Sequence, residues 1–214
     1  MDALAAAKRV SARLRVSIQS VLLSAGAVAL ARYERRSRIT MALMAANRLD
    51  PRWVDLVGSL NQYGPVTVEI EEAQHPDEFL TTAYPQCLTA YLHGSYDVDA
   101  LRARLAESGT PDADPTAFAK HFNFLGPVDA EPDLGSPLRT GVQWRSSTQR
   151  TGPNLHVAIA VGSGLLIGVG ASEDYLPGEG PAQLAAAIEA CLCSIDRGAA
   201  NTLAELDLTP VRQV

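Results

Sequence analysis

The sequence is poor in the residues that form metal sites and disulfides. It contains three cysteines and four histidines among 214 residues. No two cysteines have the Cys-x-x-Cys spacing, and none has a histidine next to it, as zinc sites usually require. Cys191 and Cys193 lie two apart in an apparent helix, so their side chains point in different directions. We therefore expect no metal site, and buried thiols in place of a disulfide framework.

The chain also lacks a long apolar run and an excess of positive charge. Its longest apolar stretch, 16–31, is interrupted by polar residues and is shorter than the roughly 20 residues of a membrane-spanning helix. The N-terminus has no uninterrupted apolar segment of the secretory type. The formal net charge is −6, whereas nucleic-acid binding needs clustered, uncompensated Lys and Arg. We expect a cytoplasmic protein with neither a membrane nor a nucleic-acid partner.

Signatures of nucleotide and serine-hydrolase sites are missing as well. The glycine-rich segment 162–170 has neither the spacing of a phosphate-binding loop nor a lysine. Gly162-Ser163-Gly164 is not a Gly-x-Ser-x-Gly nucleophile elbow and is typical of a hairpin turn. We therefore expect no cofactor-binding site of the chain's own.

What is present is typical of an ordinary globular protein. The sequence is 47% hydrophobic and 20% charged, and its length favours one compact domain over residues 1–214. Apolar periodicity predicts two helices within 2–36 and three more, at 78–92, 98–107 and 181–197. It predicts strands at 39–46, 65–72, 121–125, 138–146, 155–161 and 165–171. Helices and strands alternate before consecutive strands take over, so the predicted class is α/β (α+β) with a mixed β-sheet flanked by helices.

Six phrases follow one another in an order that is known from a single family. They are 20–36 (SVLLSAGAVALARYERR), 39–48 (ITMALMAANR), 57–70 (VGSLNQYGPVTVEI), 93–101 (HGSYDVDAL), 121–126 (HFNFLG) and 203–208 (LAELDL). Together they resemble the C-terminal lobe of nonribosomal-peptide-synthetase condensation domains, which belong to the chloramphenicol-acetyltransferase-like superfamily. The third and fourth phrases align without a gap on the family's Val-Gly-x-Phe-Val-Asn-Thr-x-Pro-x-Arg-Val and His-Gln-Asp-x-Pro-Phe-Glu-x-Leu segments. The resemblance implies one chloramphenicol-acetyltransferase-like lobe.

The departures from the family pattern are also informative. The family's His-His-x-x-x-Asp-Gly motif, which lies on the N-terminal lobe, occurs nowhere in this sequence. Gln62 and Tyr63 stand where the family has Asn-Thr, and Thr67 stands where it has Arg. Functions that depend on those family side chains are therefore not carried over to this chain.

Two groups of residues are candidates for a functional site. The resemblance places Asn61, Gln62 and Tyr63 near the tunnel between the two lobes, where they either line the tunnel or form a polar connection between strands. His93 and Asp97 match the His-x-x-x-Asp pattern in which acyltransferases of this superfamily use the histidine as a general base and the aspartate to maintain local geometry. His93 also ends a predicted helix, so a structural or capping role is the competing interpretation.

The resemblance leaves three functions open. In the first, the chain is a subunit of a split condensation enzyme that forms amide bonds in nonribosomal peptide biosynthesis. A separate N-terminal-lobe protein then carries the His-His-x-x-x-Asp-Gly motif, and this chain supplies tunnel wall and a binding surface for carrier proteins, whose phosphopantetheine arms hold the substrates. In the second, it is a non-catalytic recruitment or scaffold module for a carrier protein or a tailoring enzyme. In the third, it is a self-sufficient acyltransferase that uses His93.

An isolated lobe exposes the surface that its missing partner lobe covers, and large apolar exposures mark interaction sites. We therefore expect a hetero- or homo-oligomer. The initiating methionine and an end just beyond the family's usual boundary favour a freestanding subunit, with an excised fragment of a larger synthetase as the alternative.

Overall fold

A computed structural model of the chain describes residues 2–48, 50–109, 119–127 and 153–209. Within these ranges the helices are α1 (Ala3–Leu14), α2 (Ile18–Glu34), α3 (Pro76–Leu92), α4 (Val98–Glu107) and α5 (Gly180–Arg197). The strands are β1 (Arg38–Ala45), β2 (Gln62–Glu69), β3 (Lys120–Pro127), β4 (Leu155–Val161) and β5 (Leu165–Ala171). Short 3-10 turns occupy Pro51–Trp53 and Leu203–Glu205.

The five strands form one mixed sheet in the order β2-β1-β3-β4-β5. The central pairs, β1 with β3 and β3 with β4, are parallel. The outer pairs, β1 with β2 and β4 with β5, are antiparallel. Parallel neighbours need long connections, and helices α3 and α4 lie between β1 and β3 along the chain. The predicted α/β class with a mixed sheet and flanking helices is confirmed.

The hydrophobic core lies on one face of this sheet. Alternate residues point to the same face of a strand, and the core side chains of each strand are consistently those of one parity, such as Ile39, Met41 and Leu43 on β1. Helix α2 is buried along nearly its whole length, from Ser20 to Ala31. It packs on β1 and against α1, α3 and α5. Helices α2, α3 and α5 therefore cover one face of the sheet, and α1 packs against all three of them.

The helix ends follow from local chemistry. The Asp2 carboxylate accepts from the backbone N–H groups of Leu4 and Ala5 at the start of α1, and the Ser17 hydroxyl accepts from the N–H of Ser20 at the start of α2. Both helices end at an arginine in the left-handed conformation, Arg15 at φ 56° and Arg35 at φ 54°.

Most element predictions agree with the structure, with two differences. Strand β2 begins at Gln62, three residues before the predicted start at Pro65, because Tyr63 and Gly64 also pair with β1. A proline inside a helix usually kinks or breaks it, but α3 runs through Pro85. Pro85 has no N–H for the carbonyl of Thr81, and both residues are exposed. The strand predicted at 138–146 lies outside the described residues.

Among the described helices, none is by itself long and apolar enough to cross a membrane. Helices α1 and α2 together pass a test of length and composition, but they meet at a bend of 112°. In the fold both contribute to the core described above.

Candidate functional site

Asn47, just beyond the end of β1, ties three segments of the chain together. Its side-chain amide donates to the carbonyl oxygens of Leu60 at 2.9 Å and Gly94 at 3.0 Å, and lies 3.4 Å from the side-chain oxygen of Gln62. Its backbone is left-handed, with φ 54°. Asparagine adopts this conformation more readily than most residues. Asn47 therefore anchors the start of β2 and the segment after α3 to the end of β1.

Both the nitrogen and the oxygen of the Gln62 side-chain amide form hydrogen bonds in this network. Its nitrogen donates to the carbonyl of Tyr96 at 2.8 Å, and its oxygen accepts from the backbone N–H of Tyr96 at 3.1 Å. The Tyr96 hydroxyl in turn donates to the carbonyl of Tyr63 at 3.1 Å. Gln62 thus donates one hydrogen bond to the backbone of Tyr96 and accepts another from it, although the two residues are 34 positions apart in the sequence. Its polar atoms position the neighbouring backbone, and Tyr63 is the next residue along.

Two glycines allow the backbones to come this close. A Cβ at Gly64 would lie 2.3 Å from the carbonyl oxygen of Ala90 on α3, and a Cβ at Gly94 would lie 2.3 Å from the Cβ of Ala45. No real Cβ sits at such distances without displacing its neighbour. Glycine at these two positions therefore lets the end of α3 pack directly against β1 and β2.

Three aromatic rings form a row on the sheet face opposite the helices. The ring of Tyr63 on β2 stacks on His121 of β3, with centroids 4.1 Å apart and planes 30° from parallel. His121 meets His156 of β4 edge-on at 6.3 Å. The two rings are not directly opposite each other, because β1 pairs Met44 with Tyr63 and Ala42 with His121. The stack therefore runs diagonally across β1, where Ala42 has a short side chain and is fully buried, with 0% exposure.

Burial within this row of rings shifts the pKa values of two side chains. Burial raises the pKa of the Tyr63 hydroxyl, so the hydroxyl stays protonated. Burial also lowers the pKa of His156, which favours the neutral imidazole. Beyond His156 the same face carries the backbone of Gly168 and Gly170 on β5, where an added Cβ would meet nothing closer than 3.6 Å. The row therefore ends in an open, shallow strip of sheet.

The predicted candidates His93 and Asp97 have separate structural positions. His93 is the C-terminal residue that caps α3, and its side chain is exposed. The carboxylate of Asp97 accepts from the backbone N–H groups of Asp99 at 2.9 Å and Ala100 at 3.0 Å, as the N-cap of α4. Both residues thus have capping positions, which matches the structural interpretation of this motif. A role of His93 as a general base stays a prediction.

Asn61 lies at the rim of the same region. It is exposed, and its amide contacts the sulfur of Met44 at 3.6 Å. Of the three tunnel-lining candidates, Asn61 faces solvent, Gln62 is engaged with Tyr96, and Tyr63 lies in the ring row. Their role in lining a tunnel stays a prediction.

Arg48 forms hydrogen bonds to the backbone of an apolar loop next to this region. Its guanidinium donates to the carbonyl oxygens of Trp53 at 2.7 Å, Leu56 at 2.8 Å and Gly58. Trp53, Leu56 and their neighbours Val54 and Val57 are all exposed, and Val57 is 99% exposed. We call residues 53–57 the apolar loop. One arginine thus satisfies three carbonyls of the loop, whose apolar side chains are exposed.

The thiols offer no nucleophile at this site. All three cysteines are free and buried, as predicted. Burial raises the pKa of Cys87 and of Cys191 to about 12, so both remain protonated thiols at neutral pH. In the described ranges, no cluster of three or more His, Cys, Asp and Glu has the arrangement of a metal site.

Comparison with known proteins identifies the fold. Neither a protein-family model nor a curated protein sequence matches the chain. The first condensation domain of the CDA synthetase matches with a TM-score of 0.67 and 14% identity, over 96% of this chain and 45% of that chain. The chain has the fold of one lobe of a condensation domain.

Two further solved structures support the same assignment. The four-domain nonribosomal peptide synthetase holo-AB3403, bound to AMP and glycine, matches the lobe with a TM-score of 0.73 and 14% identity, over 97% of this chain and 17% of that chain. The X-domain in complex with OxyB from teicoplanin biosynthesis matches with a TM-score of 0.70 and 16% identity, over 99% of this chain and 47% of that chain. The lobe thus spans less than half the length of these structures, which is consistent with the C-terminal lobe that the sequence resembles.

Several residues of the site were not singled out from the sequence. Asn47 does carry a signal, because asparagine tolerates the positive φ observed here better than most other residues. Tyr96 and the pair of His121 with His156 carry no such signal. Their proximity depends on strand register and on the path of the chain after α3, which periodicity does not determine.

Proposed function

We propose that this lobe is the C-terminal half of a condensation enzyme in nonribosomal peptide biosynthesis, and that a separate partner protein supplies the N-terminal lobe with the His-His-x-x-x-Asp-Gly motif. The observation that carries the proposal is the match to condensation domains over nearly all of this chain and less than half of theirs. The described residues hold no equivalent of the missing motif, so the general base has to come from the partner.

The open face of the sheet supports a role as one wall of a tunnel. It carries the ring row of Tyr63, His121 and His156, and the exposed apolar side chains of Leu125 and Leu166. Apolar and aromatic surface of this kind marks an interaction site. The apolar loop lies at the end of β1 close to the same region, and Arg48 holds it in advance of any partner. We assign both surfaces to contact with the N-terminal lobe and the substrate arms.

The proposed reaction joins two substrates that are held on the phosphopantetheine arms of carrier proteins. The amine of the acceptor attacks the carbonyl carbon of the donor thioester, a C–N bond forms, and the C–S bond breaks to release the donor arm as a thiol. The partner's histidine takes the proton that the amine loses and passes it to the departing sulfur, which leaves as the thiol. This lobe contributes by holding the two arms in one tunnel, which replaces a bimolecular encounter by a positioned one.

The proposal is tested with the chain and an N-terminal-lobe protein that carries the motif. The two are co-expressed, and their association is measured by size-exclusion chromatography with light scattering. The pair and each chain alone are then assayed for amide formation with aminoacyl-loaded carrier proteins, detected by intact-protein mass spectrometry. A 1:1 complex that forms amide, with both chains required, is the expected result. A monomer or homodimer that binds none of the N-terminal-lobe proteins tested would contradict the proposal.

A recruitment module is a second candidate function. One matched structure is an X-domain in complex with OxyB, so a fold of this kind is found bound to another protein in that case. The preformed apolar loop suits such a role equally well. In this case the lobe binds a carrier protein or a tailoring enzyme, and amide formation fails with every N-terminal lobe while binding to that partner persists.

A further inference from the structure

Among the described strands, β2 lies at an edge of the sheet, and its outward-facing backbone groups can be identified. In the β1–β2 ladder, the N–H of Ile70 donates to the carbonyl of Ser37. In an antiparallel pair, hydrogen-bonded residues alternate with residues whose N–H and C=O point away from the partner strand. The even-numbered residues of β2 therefore bond to β1. Residues 63, 65, 67 and 69 direct their backbone groups outward.

The protein itself covers the first half of this edge. The carbonyl of Tyr63 accepts from the Tyr96 hydroxyl. At Gly64 the edge meets the carbonyl of Ala90 on α3, which seals the space beside it. Pro65 has no N–H to offer, a common way to blunt an exposed edge strand. Natural edge strands are usually protected along their length, so the remaining half is of interest.

The second half of the edge is open. Among the described residues, no group bonds the outward N–H and C=O of Thr67 and Glu69. The Thr67 side chain does not block them, because its hydroxyl is bonded to the hydroxyl of Thr40 on β1 at 2.8 Å. Two donors and two acceptors therefore stand in a row, followed by the carbonyl of Pro65 as a fifth group.

A groove runs beside these groups. It lies between β2 and α3 and has a volume of about 470 Å³, lined by Pro65, Thr67, Pro85, Gln86, Thr89 and His93. The groove thus combines a row of backbone hydrogen-bonding groups on one side with small polar and apolar side chains on the other.

We propose that the groove between β2 and α3 binds an extended peptide segment of a partner protein, which adds to the sheet as a sixth strand beside Thr67 and Glu69. Main-chain hydrogen bonds give affinity in such strand addition, and pockets for alternate side chains give specificity. Residues 65 to 69 match a peptide of about five residues, since strands advance about 3.3 Å per residue. Alternate peptide side chains face α3, where they meet Pro85 and the short side chain of Thr89.

A second copy of the chain fits the same edge less well. Two β2 strands that pair antiparallel around Thr67 place Pro65 of each copy opposite Glu69 of the other. Each Pro65 then lacks the N–H for one bond, so the symmetric pair loses a hydrogen bond at both ends. A separate peptide loses it at one end only. The inference is independent of whether the lobe takes part in amide formation.

The test begins with a phage-displayed library of random seven-residue peptides, selected against the whole protein. An enriched peptide is synthesised with a fluorophore, and its Kd is measured by fluorescence anisotropy. Thr67→Pro removes an outward N–H that β1 does not use, and we expect it to weaken binding at least about tenfold. Thr67→Val keeps the N–H and serves as the matched control, with a Kd within about threefold of the natural protein. Circular dichroism checks that both variants are folded.

A second variant fills the groove from the helix side. Thr89→Trp is expected to weaken binding of the same peptide. Ala103→Trp, on the exposed face of α4, is expected to leave its Kd unchanged. Hydrogen exchange of the Thr67 and Glu69 amides is expected to slow when the peptide is bound. The proposal is overturned if no peptide is enriched, or if the enriched peptide binds Thr67→Pro and the natural protein equally. A homodimer that Thr67→Pro dissociates, without peptide enrichment, would overturn it in favour of a second copy.

Discussion

Tyr63 on β2 stacks on His121 on β3 at 4.1 Å, although β1 lies between the two strands. Tyr63 is paired with Met44 of β1, and His121 is paired with Ala42, so the stack runs diagonally across the intervening strand. The small side chain of Ala42, which is fully buried, leaves space for this contact. Side chains on one face of a sheet interact across neighbouring strands, and this stack spans one strand more. It links the edge strand to the centre of the open face.

Tyr63→Ala is expected to weaken both the fold and the proposed pairing of lobes. Loss of the stack and of the covered surface lowers the free energy of unfolding by about 1–3 kcal/mol. Urea denaturation measures this change, and light scattering with an N-terminal-lobe protein measures the pairing. Tyr63→Phe retains the ring and is the control, since the side-chain hydroxyl takes no part in the stack. An equal loss in both variants would show that the ring contact is not what stabilises this face.

Asn47→Gly is expected to remove the side-chain hydrogen bonds of Asn47 while its backbone conformation is kept. Glycine accepts the φ of 54° but leaves the carbonyls of Leu60 and Gly94 without their donor. We expect a loss of about 1–3 kcal/mol, the cost of unsatisfied, partly buried acceptors. Asn47→Ala adds the strain of a left-handed Cβ and loses about 1 kcal/mol more. Denaturant unfolding of the two variants checks this order, and the reverse order would contradict the proposed role of the side chain.

Gly64→Ala is expected to be among the most damaging single-methyl additions in the sheet. The new Cβ would lie 2.3 Å from the backbone oxygen of Ala90, and neither backbone can move without disturbing the Gln62 network. Overpacking of this kind costs about 1–3 kcal/mol or more. Gly170→Ala on β5 is the matched control, because its Cβ meets nothing within 4 Å. Thermal unfolding compares them, and similar melting temperatures would show that α3 does not press on β2.

His156 is expected to make stability depend on pH. Burial lowers its pKa in the folded protein from the ordinary value of 6.5, so the unfolded chain binds the proton more tightly. The stabilising contribution is therefore present above about pH 6.5 and is lost as the pH falls through the folded pKa. We expect His156→Gln to flatten the fall in unfolding free energy between about pH 7 and pH 5. Urea denaturation across that range, together with NMR titration of the imidazole, checks the sign.

Asp97 and His93 are expected to respond differently if their roles are those of caps. Asp97→Ala removes the acceptor for two N–H groups of α4 and costs about 1 kcal/mol, whereas Asp97→Asn restores most of it. His93→Ala leaves the backbone cap of α3 in place, so the change in unfolding free energy stays within about 0.5 kcal/mol. Amide-forming activity of the two-lobe complex discriminates the alternatives. A loss of activity in His93→Ala with the fold intact would revive His93 as a general base.

The elements that could be predicted from the sequence are those with strong periodicity. Helix α5 carries Leu184, Ile188 and Ile195 on one stripe, and strands β4 and β5 flank a Gly-Ser-Gly turn, so each has its own local signal. The predicted start of β2 is three residues late, because Tyr63 and Gly64 do not continue the apolar–polar alternation that begins at Val66 in the sequence. Their pairing with β1 is decided by the contact of Gly64 with α3 and by the Tyr96 bond.

The sequence by itself determined the class of the fold, the positions of its helices and most strands, and its resemblance to one condensation-domain lobe. These follow from local periodicity, capping residues and phrases in order. Only the tertiary structure decided that Asn47, Gln62 and Tyr96 form one network, that Tyr63, His121 and His156 share a face, and that β2 has half an open edge. Such relations depend on strand order and register, which join residues far apart in the chain and leave no local pattern.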